Sequence, residues 1–354
     1  MNRPCALVMA GGTGGHIFPG LAVAQALRDK GWRVHWLGTP NSMETRLVPL
    51  RGFTMELVDF SGVRGKGVMT WVRLPWRLLR ACFQSFQVLQ RVRPDVVLGF
   101  GGYISLPAGL VTVLRSIPLV LHEQNAIAGM ANQVLSKVAA RVFTAFPNVM
   151  RKAQWVGNPL RGEFLNQAEP SARFLGRTGP MKVLVVGGSL GARALNAVVP
   201  LALAEIPLVD RPSVMHQSGE KEIDTLRTNY FDANVAATLT PFIDNTAQAF
   251  ADADIVICRA GASTVTEIAA IGAAALFVPF PGAVDDHQTH NAQFLTKQGA
   301  GWTIQQSELT PEYLAAWLQS MNRDVLKDCA EKAKTLACLN ATQAIAQACE
   351  ELAQ

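Results

Sequence analysis

The sequence predicts an α/β protein built as two doubly wound domains, each around a parallel sheet. Three observations carry this expectation. Short apolar runs alternate with helical patterns along the first half, the signature of βαβ units. The same scheme restarts at Met181. The chain of 354 residues exceeds what one hydrophobic core usually organises.

Taken in order, the first half reads as a strand at Ala6–Met9, a glycine turn, a helix at Pro19–Lys30, and strands at Arg33–Leu37, Val96–Gly99, Leu119–Leu121 and Arg141–Thr144. Pro19 suits a first helical turn, where its missing N–H is no loss. The second half reads as strand Val183–Val186, a glycine turn, helix Ala192–Ala204, and strands Ser213–Gln217, Ala236–Leu239, Ile255–Cys258 and Ala275–Val278. Pro, Gly and polar residues from Gly157 to Pro180 mark a linker. The expected domains are therefore 1–157 and 158–340. Ala330–Leu352 is helical in composition and could pack on either.

Hydrophobic residues make up 49% of the chain and charged residues 17%, a globular balance that excludes long disorder. Six scattered cysteines without C-x-x-C spacing point to reduced thiols and a cytosolic protein. The apolar stretch Cys5–Ala10 is too short for a signal-peptide core, and no run of about 18 apolar residues can span a bilayer. Any membrane contact is thus expected to be peripheral. The net charge of +5 is modest, but Arg64, Lys66, Arg73, Arg77, Arg80, Arg91 and Arg93 fall in one stretch, a candidate patch for an anionic surface. Within it, Val68–Val92 mixes Trp71, Trp76, Leu78, Leu79, Phe83, Phe86 and Leu89 with arginines. Such a helix either buries one face in the core or docks on a membrane. No nucleic-acid module accompanies the charge, so nucleic acid is not an expected partner.

Three glycine-rich turns follow strand-like runs: Gly11–His16, Gly99–Tyr103 and Gly187–Ala192. Glycine lets backbone N–H groups crowd an anion, and a helix that starts there adds its positive end. In the first, Thr13, Gly14 and Gly15 face a diphosphate or sugar, and His16 can accept a proton. The third reads either as a phosphate turn or, as G-x-S-x-G, as the nucleophile elbow of a hydrolase with Ser189, Asp254 and His287 or His290. Neither turn is a clean G-x-G-x-x-G, and Thr39-Pro40 stand where a ribose-binding acid is expected, which disfavours a nicotinamide enzyme although Glu44 follows shortly.

Cys258–Glu267 combines a sharp exit from a strand at Gly261, consecutive N–H groups over Ala262–Thr266, and Glu267 in the first helical turn, where a carboxylate can hold ribose hydroxyls. The loop Pro279–Asn291 again follows a strand and carries clustered polar side chains. His122-Glu123-Gln124-Asn125 crowds four polar residues at a strand's carboxyl end, an expensive arrangement without a partner. Asp252-Ala253-Asp254 has the form of a metal-binding D-x-D but reads as a solvated turn. His287 and His290 have no obvious third ligand, so no metal is expected.

Together, Gly-Gly-Thr-Gly-Gly-His-Ile-Phe-Pro-Gly (11–20), Gly-Phe-Gly-Gly-Tyr (99–103), His-Glu-Gln-Asn (122–125), Val-Gly-Asn-Pro (156–159), Gly-Gly-Ser-Leu-Gly-Ala (187–192) and Arg-Ala-Gly-Ala-Ser-Thr-Val-Thr-Glu (259–267) resemble the MurG family of bacterial N-acetylglucosaminyltransferases, which turn lipid I into lipid II. The resemblance implies a GT-B fold: two Rossmann-like domains facing across a cleft, the C-terminal one for UDP-N-acetylglucosamine and the N-terminal one for the lipid-linked acceptor. It implies that the C-terminal helix, 341–354, returns to the first domain. The implied donor contacts are Thr13, Gly14, Gly15, Asn125, Arg161, Ser189, Ile243, Ala262, Ser263, Thr264, Val265, Thr266, Glu267 and Gln288, with Ile243 by the uracil and Glu267 on the ribose. No cofactor and no metal are implied.

The expected activity is inverting transfer of N-acetylglucosamine to the muramoyl 4-hydroxyl of undecaprenyl-diphosphate-linked muramoyl-pentapeptide (lipid I), at the cytoplasmic face of the inner membrane, with His16 as first choice for the base. The alternatives are a serine α/β-hydrolase using Ser189 and a non-catalytic nucleotide-sugar-binding protein.

Overall fold

A computed structural model describes residues 3–62, 73–188 and 191–353. The chain divides into two compact units, Met1–Arg161 with Cys338–Gln354, and Gly162–Ala337.

Unit 1 holds a seven-stranded sheet of β1 (Cys5–Ala10), β2 (Arg33–Gly38), β3 (Thr54–Leu57), β4 (Val96–Gly101), β5 (Leu119–Glu123), β6 (Arg141–Thr144) and β7 (Gln154–Trp155), all parallel, in the order β3-β2-β1-β4-β5-β6-β7. Every residue of β1 and β4 is buried, which is why both read as unbroken apolar runs. One face of the sheet packs Ile17, Leu27, Trp36 and Phe100 with Ile345, Ala346 and Cys349. The other packs Met9, Leu37, Val88, Leu89, Leu121 and Leu135. Strand order reverses between β1 and β4, so the turns leaving them lie side by side at the sheet's carboxyl end. That switch point is where open α/β sheets take ligands.

Unit 2 repeats the plan with β8 (Lys182–Val186), β9 (Ser213–Gln217), β10 (Thr238–Thr240), β11 (Ile255–Cys258), β12 (Ala275–Phe277) and β13 (Trp302–Thr303), in the order β10-β9-β8-β11-β12-β13. Its core gathers Val183, Val185, Leu195, Val199, Ile255, Ile257 and Leu276. The switch point here lies between β8 and β11, paired in parallel with Val186 opposite Cys258.

Several expectations need correction. The first helix spans Gly14–Asp29, so Pro19 sits inside it and not in its first turn. Residues 162–180 are no free linker: they form helices Gly162–Leu165 and Pro170–Phe174 on unit 2. Arg173 fastens them by donating to the carbonyls of Ala251 and Ile271 at 2.9 and 2.8 Å, the ends of two neighbouring helices. Ala330–Leu352 is not one helix. Arg323–Thr335 belongs to unit 2 and Ala341–Leu352 to unit 1, where Glu350 meets Lys30 at 2.7 Å.

Candidate functional site

In unit 1 the site is built from the turns after β1, β4 and β5. Thr13 is the extended N-cap of helix Gly14–Asp29, and the first N–H groups of that helix, at Gly14 and Gly15, precede its hydrogen-bond ladder. His16 lies in the first turn, and its Nδ1 is 3.1 Å from Gly11 O. A carbonyl only accepts, so Nδ1 carries the proton and Nε2 keeps its lone pair. The ring lies against β4: a Cβ built on Gly101 would stand 3.1 Å from Nε2. Gly102, at φ +93°, brings its backbone so close that a Cβ would fall 2.6 Å from Gly11 O. Only glycine permits that approach.

Of the four polar residues at the end of β5, His122, Glu123 and Asn125 find partners inside the unit, whereas Gln124 Oε1 is buried without a hydrogen-bond partner among the described residues. Glu123 is 2% exposed and accepts four bonds: Oε1 from Asn125 N–H at 3.0 Å and Asn125 Nδ2 at 3.3 Å, Oε2 from Gly129 N–H at 3.0 Å and Asn132 Nδ2 at 2.8 Å. His122 Nε2 donates to Gly157 O at 2.9 Å while Nδ1 accepts from Gln124 Nε2 at 3.0 Å. Burial pushes the His122 pKa down to about 4, so the ring is neutral and structural. Asn125 is thereby held at the mouth of β5. Arg161, at the end of the unit's first segment, places its guanidinium 5.9 Å from the Phe18 ring on the first helix.

In unit 2 the turn Gly187–Ala192 leaves β8 and leads into helix Arg193–Glu205. Ser189 lies outside the described residues. The turn is gripped by a residue the sequence reading missed: Gln217, at the end of β9, accepts from Gly188 N–H at 3.2 Å and donates to Gly188 O at 3.2 Å and Pro241 O at 3.0 Å. One buried amide thus ties the turn to the stretch that leads into Ile243, which is half-buried. Behind it, His216 bridges Tyr230 Oη and Asn196 Oδ1 at 3.0 and 3.1 Å, and burial lowers its pKa to about 3.

Helix Ala262–Ile271 starts at β11 with Gly261 as N-cap. Val265 N–H already bonds Gly261 O at 3.0 Å, so the unpaired N–H groups are those of Ala262, Ser263 and Thr264, fewer than expected. Glu267 is the sixth helical residue and stands in the second turn, not the first. Val265 is fully buried in the core, and the Thr266 hydroxyl turns back to Ala262 O at 2.9 Å. Ser263 Oγ is buried without a hydrogen-bond partner among the described residues. Gln288, second residue of helix His287–Thr296, accepts from Phe280 N–H at 2.9 Å, and Asn291 anchors that helix to Ala260 O at 3.2 Å. Arg259, which opens the 259–267 motif, ties the end of β11 to Val278 O and Gln306 Oε1.

Asp254 corrects both readings made of it. It is 1% exposed, not solvated, and bonds Arg177 at 2.5 Å, Arg323 at 3.1 Å and Lys182 N–H at 2.8 Å. Burial opposes its charge, yet those hydrogen bonds hold its carboxyl below the usual range. It therefore locks the amino end of β8 and β11, a full strand away from the Gly187 turn, and cannot serve a nucleophile there. His287 and His290 each point Nδ1 at a carbonyl of their own turn, Val284 O and Asp286 O.

A separate surface lies on helix Leu74–Val92. Ala81, Ser85, Val88, Leu89 and Val92 face the core, while Trp76, Leu79 and Phe83 are 78, 62 and 62% exposed beside Arg80. Core packing and an exposed apolar stripe thus coexist on one helix. Of the basic stretch, Arg91 pairs with Glu56 and Arg77 donates to Ser61 Oγ at 2.6 Å. Arg64, Lys66, Val68 and Trp71 fall outside the described residues. Among the described residues no helix is long and apolar enough to cross a membrane.

Comparison with known proteins adds independent findings. Residues 6–144 match the glycosyltransferase family 28 N-terminal domain and residues 182–350 its C-terminal domain. A protein from a Polaromonas species is 65% identical over 99% of this chain and 92% of its own length, and one from Polaromonas naphthalenivorans is 64% identical over 99% of each. Both are named UDP-N-acetylglucosamine–N-acetylmuramyl-(pentapeptide) pyrophosphoryl-undecaprenol N-acetylglucosamine transferase. The crystal structure of Acinetobacter baumannii MurG is 41% identical, covers 99% of this chain and 100% of its own, and superposes with a TM-score of 0.87.

Proposed function

The chain belongs to glycosyltransferase family 28, and from that premise we propose that it moves N-acetylglucosamine from UDP-N-acetylglucosamine to the muramoyl sugar of an undecaprenyl-diphosphate-linked muramoyl-pentapeptide, a step of peptidoglycan synthesis. Its two parallel-sheet units are those of the GT-B architecture. The observation that carries the reading is the carboxyl end of β8 and β11. Two helix starts stand there on paired strands, one glycine-rich and one offering three unpaired N–H groups, a surface suited to a diphosphate.

The chemistry is one in-line displacement. The acceptor 4-hydroxyl oxygen bonds to the sugar's C1, the bond from C1 to the diphosphate oxygen breaks, and its electron pair leaves with UDP. The hydroxyl proton goes to His16 Nε2, the ring nitrogen that Gly11 leaves with its lone pair. Helix-start N–H groups at Ala262–Thr264 and at the Gly187 turn, with Ser189, stabilise the departing diphosphate. Glu267 holds the ribose and Ile243 the uracil. Thr13, Gly14, Gly15, Asn125, Arg161 and Gln288 complete the donor and acceptor contacts. Attachment is peripheral, through Trp76, Leu79 and Phe83 with their arginines, on a membrane's anionic cytoplasmic face.

UDP release with a lipid I analogue tests this. The parent should release UDP only with acceptor present, and His16→Ala should lower turnover by about 100- to 10,000-fold with UDP-sugar affinity kept. Binding without turnover in the parent would leave only a nucleotide-sugar-binding protein. Covalent labelling of Ser189 by a fluorophosphonate would restore the hydrolase.

A further inference from the structure

Glu44 is a carboxylate with no exposed surface, and the mechanism above gives it no task. It is drawn into unit 1 from the start of helix Met43–Leu47, just after β2, where a dinucleotide enzyme would aim an acid outward at a ribose. Here Oε1 accepts from Thr39 N–H at 3.1 Å and Thr39 Oγ1 at 3.0 Å, and Oε2 accepts from Gly12 N–H at 3.2 Å. Burial alone would raise its pKa, but these bonds outweigh that, and the carboxyl stays below its ordinary range, hence charged. The neighbouring backbone is cleared for it on two sides. A Cβ on Gly11 would fall 2.6 Å from Oε1, and one on Gly38 would fall 2.7 Å from Cγ.

The peptide that Glu44 grips is the one His16 grips. Gly12 N–H and Gly11 C=O belong to a single planar amide, with the carboxylate on its donor end and His16 Nδ1–H on its acceptor end. A rigid plane transmits orientation between its two ends, and hydrogen bonds in series polarise one another, so the anion makes Gly11 O a better acceptor. We infer that Glu44 is a positioning residue for the transfer reaction, orienting the His16 imidazole through the Gly11–Gly12 peptide group. This rests on His16 being the base. A carboxylate that orients a histidine normally touches it; here one amide stands between them.

The test is a double-mutant cycle on UDP release with UDP-N-acetylglucosamine and a lipid I analogue, each variant checked by thermal melting. Glu44→Gln keeps the shape but turns an NH2 toward either Gly12 N–H or Thr39. It should lower kcat by about 10- to 100-fold, the scale of a small misplacement of a reacting group, with the KM for the donor within about twofold. In His16→Ala the same change should have no further effect, because nothing is left to orient. Gly38→Ala, which crowds Glu44 while retaining it, should reproduce the loss of kcat and serves if Glu44→Gln does not fold. Additive losses in the double mutant, or a loss in KM alone, would overturn the inference. So would undiminished turnover in His16→Ala. A parent that releases no UDP fails at the earlier step, and the proposed reaction falls with it.

Discussion

Gln217 shows what a single amide can do when every atom of it is used. Its oxygen and nitrogen close a two-point pairing with Gly188 and reach Pro241, so the turn after β8 and the stretch leading into Ile243 share one fixed point. Gln217→Glu removes both donations and places a carboxylate against two carbonyls. UDP affinity should fall by about tenfold or more, the worth of one to two hydrogen bonds, and calorimetry with UDP measures it. Equal affinity in variant and parent would show that the two stretches hold their places without it. Glu267→Ala should likewise raise the KM for the UDP-sugar. Residues of this kind separate what sequence reveals from what it hides. Glu267, Ser263 and Asn125 lie in short motifs that leave the carboxyl ends of apolar strands, so the pattern draws attention to them. Gln217 bonds backbone atoms 29 and 24 residues away, and no spacing marks such a bond. Asp254 misled for the same reason: its arginine partners, Arg177 and Arg323, lie 77 and 69 residues away.

Helices and strands were legible wherever burial writes a period into the sequence. Nine of the strands coincide with the runs read from the sequence, and β10 was displaced only slightly; the three that were missed, β3, β7 and β13, have two to four residues at sheet edges, too short to carry a pattern. The first helix begins five residues earlier than Pro19 suggested, because a glycine pair reads as turn although the backbone is helical there. Helix Leu74–Val92 carries two apolar faces, which periodicity alone cannot separate into core and surface. Its outer face yields a prediction. The parent should float with anionic vesicles and dissociate as salt rises, and Trp76→Ala with Phe83→Ala should weaken binding at every salt concentration. Neutralising Arg73, Arg77 and Arg80 should remove mainly the salt dependence. A parent that ignores vesicles would refute the attachment.

For the whole molecule, each unit hides one neutral histidine: His122 in unit 1, with a pKa of about 4, and His216 in unit 2, with a pKa of about 3. On unfolding both return to about 6.5. The unfolded chain thus binds protons that the folded chain does not, so stability is complete above about pH 6.5 and declines as pH falls toward 4. For His122 the span amounts to something on the order of 3 kcal/mol. Urea midpoints at pH 7 and 5 should differ accordingly, and His216→Gln should reduce the difference in unit 2. Equal midpoints at the two pH values would contradict the sign.

The division of the chain also sets an order of assembly. Unit 2 is one continuous stretch, whereas the core on one face of unit 1 includes Ile345, Ala346 and Cys349 from a helix made after all of unit 2. On the ribosome, then, the domain begun first is finished last. Until Ala341–Leu352 emerges, the surfaces of Ile17, Leu27 and Trp36 stand partly uncovered, a window in which a nascent chain depends on chaperones. A chain ending at Ala337 should therefore keep a protease-resistant unit 2 while its unit 1 is cut.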